Sequence, residues 1–280
     1  MRTRTALAAL CFSSTVALAD APPALENLVP HRAVYDVTLD EASERSGISA
    51  IKGRMVYESR GSACEGFSVR FRFFQNVRTP RREYSSDQRT TTFESGDGER
   101  FEFVNRTFFN GSQEREVKGK AARSADGITV AIEASGSDEG TTDVELQPAQ
   151  FPAAHIAAVI EAAQAGKRFL PVDVYDGSDT GDEVMATTAV IGKRNGPDAT
   201  VVADPERAKQ LADVPSWPVS VGYFSGEADA SGERLPVYQV SFALHENGVS
   251  GDLVMRYEDY TLNAELKDLE YLERSDCPSE

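Results

Sequence analysis

His31-Arg-Ala-Val-Tyr-Asp-Val-Thr-Leu39 is the stretch whose reading decides the fold. In an extended chain successive side chains point to opposite sides, so Ala33, Tyr35, Val37 and Leu39 share one face while Arg32, Asp36 and Thr38 share the other. Such a segment is a strand with one buried face. The same rhythm returns at Ile51, Gly53, Met55 and Tyr57, at Phe67, Val69, Phe71 and Phe73, and at Phe101 and Phe103. It continues over Ile128 to Ile132, Val172 to Tyr175, Met185 to Ile191, Leu235 to Leu244 and Leu253 to Tyr257. Between these runs lie turn signals: Ser95-Gly-Asp-Gly98, where a type I′ hairpin is expected, Asn110-Gly111, Asp126-Gly127, Asp176-Gly177 and Asn247-Gly248. Short strands joined by hairpins, with few helical stretches, predict a mainly β chain and a mainly antiparallel sheet.

One helix stands out. Pro152 to Gly166 opens with Pro in its first turn, is rich in alanine, carries a stripe of Ile156, Val159, Ile160 and Ala163, and meets a glycine stop. That stripe must be covered, and the concave face of a curled sheet would cover it. A shorter helix is expected from Asp204 as N-cap through Pro205 to Leu211. No internal repeat or linker divides the chain, so Ser135 to Phe151 reads as a connection between two halves of a single domain spanning 20–280.

The first nineteen residues read differently. Arg2 and Arg4 form a positive start, Ala6 to Val16 an apolar run, and Ala17-Leu18-Ala19 a small-residue cleavage site, so residues 1–19 are expected to be an export signal peptide. Removing them leaves 27 basic residues against 45 acidic ones, a net charge of −18. A periplasmic location follows as the expectation. So acidic a surface repels polyanions, which disfavours nucleic acid as a partner. Past the signal no apolar run reaches the roughly 18 residues of a membrane span, so no transmembrane segment is expected in the mature chain.

Cys11 lies inside the signal with no lipobox around it, which leaves Cys64 and Cys277. A bridge between them would close a loop of more than two hundred residues and restrict the unfolded chain by roughly 5 kcal/mol. Two unpaired buried thiols are the alternative, and the polar surroundings of Cys277 (Ser275, Asp276, Pro278) make its burial hard to arrange. No C-x-x-C spacing suggests thiol exchange.

Chemistry-bearing patterns are sparse. His31, His155 and His245 have none of the spacings that place two ligands on one face, so no metal and no cofactor are expected. Asp173, Asp176, Asp179, Asp182 and Glu183 crowd one short span, but they do not follow an EF-hand and read as a solvated turn. No nucleophile elbow or phosphate loop occurs. Trp217 and the apolar residues after it read as the edge of the core. The one basic concentration is Arg70, Arg72, Arg78, Arg81 and Arg82, interleaved with Phe71, Phe73, Phe74 and Tyr84. These guanidinium groups would either contact anionic lipid or polysaccharide, or pair with neighbouring acids.

His31-Arg-Ala-Val-Tyr35, Cys64, Phe93-Glu-Ser-Gly-Asp-Gly98 with Phe101 and Phe103, the Pro152 to Gly166 helix, Tyr175-Asp-Gly-Ser178, Ile191-Gly-Lys193, Trp217-Pro-Val219, Asn247-Gly-Val249 and Cys277 together resemble the EipB-like periplasmic cell-envelope-integrity family. The match runs nearly the length of the mature chain, and one departure is Arg256, where the family pattern has an Asp. The resemblance implies a spiral-shaped, unclosed antiparallel β-barrel with one central amphipathic helix. It also implies a disulfide between Cys64 and Cys277, no catalytic residues, and a role in envelope maintenance. The expected function is therefore a non-enzymatic periplasmic protein of Gram-negative bacteria that supports cell envelope integrity by binding an unidentified protein or envelope component. A carrier of lipid or lipoprotein in an apolar cradle is the alternative. A polysaccharide hydrolase, third, would need two carboxylates facing one cleft.

Overall fold

Turn residues in the sequence become hairpins in the structure. The computed structural model describes residues 25–136, 139–178, 180–196, 199–225 and 235–275. Its first half is a run of strands: β1 (His31–Ala42), β2 (Ala50–Ser62), β3 (Gly66–Arg78), β4 (Glu83–Glu94), β5 (Arg100–Phe109), β6 (Ser112–Arg123), β7 (Ile128–Gly136) and β8 (Gly140–Leu146). Helix α1 (Pro152–Gln164) follows, then β9 (Phe169–Val174), β10 (Met185–Ile191), α2 (Pro205–Leu211), β11 (Ser216–Phe224), β12 (Tyr238–His245), β13 (Ser250–Tyr257) and β14 (Tyr260–Tyr271). All fourteen strands lie in one sheet, in the order β8-β7-β6-β5-β4-β3-β2-β1-β14-β13-β12-β11-β10-β9. Every neighbouring pair is antiparallel.

Two meanders thus wind outward from a shared centre, where the first strand pairs with the last from His31↔Tyr271 to Ala42↔Tyr260. The free edges are β8 and β9. Among the described residues no ladder joins them. The chain entering α1 instead meets β9 at one parallel bridge, Gln150↔Val174, where the Gln150 amide donates to the Asp173 carbonyl and the Tyr175 amide to the Gln150 carbonyl. The sheet is an unclosed antiparallel barrel, as the resemblance implies.

α1 lies against the inner face. Ala154, His155, Ala157, Val159, Ile160, Ala162 and Ala163 are buried, a wider surface than the stripe read from sequence. Val159, Ile160, Ala162 and Ala163 pack in one core with Ala33, Val37, Met55, Ala189, Val219 and Leu262 from both meanders. A second core under the first meander joins Phe101, Phe103, Val117, Ile128 and Ile132 to Phe151 and Tyr175. The helix ends as its sequence predicts: Gly166 takes φ +73, and the Lys167 amide donates back to the Ala162 carbonyl. α2 starts on the Asp204 carboxylate, which accepts the Glu206 and Arg207 amides at 3.0 and 3.2 Å.

Three readings change. Ser135 to Phe151 is more than a connection, because it contains the edge strand β8. A type I′ turn needs positive φ at both central residues, yet in Ser95–Gly98 only Gly98 has it, at +67. Gly96 is needed for close approach instead, since a Cβ there would stand 2.1 Å from the Ala63 carbonyl oxygen. β4, β6, β11 and β14 also went unread as strands. The inward row of β6 is Val117, Gly119 and Ala121, too small to register as apolar alternation, while bulges in the β1–β14 pairing break the rhythm of β14.

Candidate functional site

Glu94 ends β4 on the face it shares with the core, directly across from Phe67 on β3. A carboxylate there needs partners, and α1 needs a cap, because its N-cap residue Phe151 offers no side-chain acceptor. Each solves the other's problem. Glu94 accepts the Ala153 amide at 2.7 Å and the Ala154 amide at 3.1 Å. Burial pushes its carboxyl up to about 7, against the opposing pull of the two amides and of Arg123. Arg123, at the end of β6, lays its guanidinium 4.6 Å from the centre of the Phe151 ring. Its buried Nε and Nη2 have no hydrogen-bond partner among the described residues, and burial lowers its pKa. β4, β6 and the start of α1 are therefore tied at one polar joint inside an apolar core.

This joint holds the start of the helix. The buried carboxylates among the described residues are Asp87 and Glu94, and they lie on opposite faces of the same strand. They do not share a cleft. The histidines are likewise separate: His31 Nδ1 is 2.8 Å from the Val29 carbonyl, and His245 Nδ1 is 3.1 Å from the Val249 carbonyl. His155 is buried in the first turn of α1 with Nε2 unpartnered, and burial lowers its pKa to about 4. In the acidic span, Asp176 accepts the Ser178 amide, Asp182 accepts the Thr180 hydroxyl and Asp173 accepts the Gln147 amide nitrogen, while Asp179 lies outside the described residues. Among the described residues no three His, Cys, Asp or Glu side chains group as metal ligands do.

The arginines read from sequence fall on the outer face of β3 and in the turn after it. Arg72 grips Asp87 through Nε and Nη2, both at 2.8 Å, and Arg89 reaches the same carboxylate at 2.7 Å. Burial would raise the Asp87 carboxyl, but these two guanidinium groups hold it below its usual range. Arg78 pairs with Glu83 at 3.3 Å, and Arg82 sits 5.3 Å over the Tyr84 ring. Arg70 and Arg81 are exposed and have no ion pair among the described residues. Cys64 lies in the β2–β3 turn with Sγ 3.2 Å from the Ser62 hydroxyl. Cys277 lies outside the described residues, as do residues 1–19.

A tyrosine row that sequence reasoning missed runs across the inner face of the second meander. Tyr223, Tyr238 and Tyr257 stand in register on β11, β12 and β13, and Tyr260 follows on β14, with successive ring centres 5.5, 4.9 and 4.7 Å apart. Burial raises the pKa of all four, so their hydroxyls stay neutral. Individually these tyrosines read as ordinary strand residues, and only the pairing register lines them up. Glu94 stood inside a quoted fragment, but nothing local told that it caps a helix 59 residues away.

The EipB-like family model matches residues 22–273. The chain is similar to the cell envelope integrity protein EipB of Brucella abortus (strain 2308), with 42% identity over 248 residues covering 87% of this chain and 84% of that protein. It is also similar to the crystal structure of a β-barrel-like protein of a domain of unknown function from Brucella abortus. There the TM-score is 0.78 and the identity 38%, covering 88% of this chain and 99% of that one.

Proposed function

The chain belongs to the EipB-like family, and on that premise we propose that it is a non-enzymatic periplasmic protein that supports cell envelope integrity by binding a protein or envelope component. The observation that carries this reading is the occupied interior: α1 fills the concave face with Val159 and Ile160, each 1% exposed, and is fastened there by Glu94. With that space taken by its own side chains, the protein's outer surface is what remains for recognition. The name of the Brucella abortus relative supports the envelope role.

A disulfide from Cys64 to Cys277 belongs to this proposal. Arg274, three residues before Cys277, donates to the main-chain oxygens of Glu26 and Leu28 at 2.9 and 2.8 Å. Leu25 and Leu28 pack with Phe67 and Ala63, beside Cys64. Three extended residues span about 10 Å. Cys64 is not a free thiol.

Deleting the gene from its host should sensitise cells to detergents and other envelope stress, and a signal-bearing copy should restore resistance. Resistance equal to that of the parent strain would overturn the envelope role. Native mass spectrometry of protein from the periplasm separates the two binding readings. Bare mass supports the surface-binding protein, and a co-purifying lipid supports the carrier.

A further inference from the structure

A groove of about 600 Å³ opens beside the C-terminal end of α1, a volume that suits a small organic ligand. The end of α1, the two segments that follow α1 and β10, the start of β11 and the turn after β12 build it. Lys167 and Arg168 come from the turn between α1 and β9, Lys193 and Arg194 from the chain leaving β10, and Trp217 lies in its lining. Main-chain hydrogen bonds fix these pieces to one another: Ile191 amide to Arg168 carbonyl at 2.9 Å, Gly192 amide to Pro218 carbonyl at 2.6 Å, and Asn195 amide to Ser216 carbonyl at 2.8 Å. Gly192 is required for this seat, because a Cβ there would stand 2.1 Å from Pro218 Cγ. The cations are exposed, but the backbone that presents them is braced.

Charge is the informative feature. The chain as a whole carries −16, yet the groove is lined by four cations and one carboxylate, a local balance of +3. That carboxylate, Glu246, already accepts from Gln164 Nε2 at 2.6 Å. None of the four cations forms an ion pair with a described residue. Lys167 and Arg168 complement the negative end of the α1 dipole, which accounts for two of them. Lys193 and Arg194 follow a strand and have no such role. Bringing four cations together without acids to neutralise them is unfavourable by mutual repulsion, and a multiply charged anion relieves it better than a single carboxylate would.

We propose that this groove is a binding site for a phosphate-bearing group, held by Lys167, Arg168, Lys193 and Arg194. The proposal rests on the envelope reading only for the source of the phosphate, which is either a lipid head group or a soluble phosphorylated compound. Trp217 is the one tryptophan of the chain, so its emission reports on this groove directly.

The mature protein should be titrated with inorganic pyrophosphate, and separately with phosphatidylglycerol and phosphatidylcholine vesicles, following Trp217 emission and the heat of binding. Saturable binding of pyrophosphate or of the anionic vesicles is expected. In Lys193→Glu/Arg194→Glu it should weaken at least tenfold, whereas Arg81→Glu/Arg82→Glu, outside the groove, should bind like the parent. Lys193→Ala/Arg194→Ala, which only removes charge at exposed positions, should weaken it less. Thermal melts by circular dichroism confirm that each variant is folded. Binding to vesicles alone assigns the phosphate to a membrane head group, and binding to pyrophosphate alone assigns it to a soluble compound. No heat and no emission change with either probe, or binding undiminished in Lys193→Glu/Arg194→Glu, overturns the site. That failure would leave the gene-deletion phenotype untouched, so the two readings fail separately.

Discussion

The carboxylate of Glu94 accepts the main-chain amide of Ala153 at 2.7 Å, so the last residue of a strand caps a helix that begins 58 positions later, at Pro152. Most helix caps lie within the helix's own first residues. Here the cap also anchors the helix to the sheet, which makes one contact serve two levels of structure.

Removing that carboxylate should loosen the joint. Glu94→Ala strands the Ala153 and Ala154 amides in an apolar setting, and a loss of about 2 kcal/mol is expected, roughly 4–8 °C in Tm. Differential scanning calorimetry measures it. A Tm within one degree of the parent would mean the helix is held by packing alone.

The same residue gives the fold a characteristic response to pH. Its carboxyl titrates near 7 when folded and near its ordinary 4.5 when unfolded, so the folded state holds the proton more tightly. Its contribution is fully present below about 4.5 and is lost as pH rises through 7, by roughly 3 kcal/mol at most. His155 acts in the opposite sense: its folded pKa near 4 lies below the ordinary 6.5, so its contribution is present above 6.5 and lost as pH falls towards 4. The two largely offset one another in the parent. Glu94→Gln should therefore show a steeper loss of stability on acidification from 6.5 to 4.5, and His155→Leu a gain over the same range. Urea midpoints collected across this range decide it, and parallel profiles for parent and Glu94→Gln would show that Glu94 takes up no proton on folding.

Phe103 is accommodated by glycine. A Cβ at Gly119 would meet its ring at 2.2 Å, and Gly177 and Gly181 leave it similar room. The ring is 2% exposed and packs near Phe101 and Tyr175, so it has little freedom to retreat. Gly119→Ala should destabilise by about 1–3 kcal/mol although alanine prefers a strand at least as well as glycine does. Chemical denaturation tests this, and an unchanged midpoint would show that the second core can expand.

Cys64→Ser tests the proposed bridge. Under oxidising conditions the substitution should lower stability by about 2–4 kcal/mol, and in reductant parent and variant should melt together. Identical melting in oxidising buffer would contradict the pairing.

Some of this was legible locally. In β1 apolar residues alternate with mostly polar ones, so period two is visible, and α1 carries its own start and stop. β4 was not legible because its inward row, Tyr84, Ser86, Gln88, Thr90, Thr92 and Glu94, is mostly polar. The five arginines looked like a patch, but strand register hands Arg72 to Asp87 and leaves Arg70 and Arg81 exposed. The four cations of the groove come from segments about 25 residues apart, and no window of sequence contains them all.

The sequence by itself determined a β-rich chain with one buried helix, an acidic balance and the family to which the chain belongs. Each of these is written in local periodicity, composition or the order of short fragments. Tertiary structure alone decided that the first strand pairs with the last, that Glu94 caps α1, and that four cations converge beside Trp217. Strand pairing across the whole chain is set by burial of a shared core, and that free energy exists only once distant segments have met.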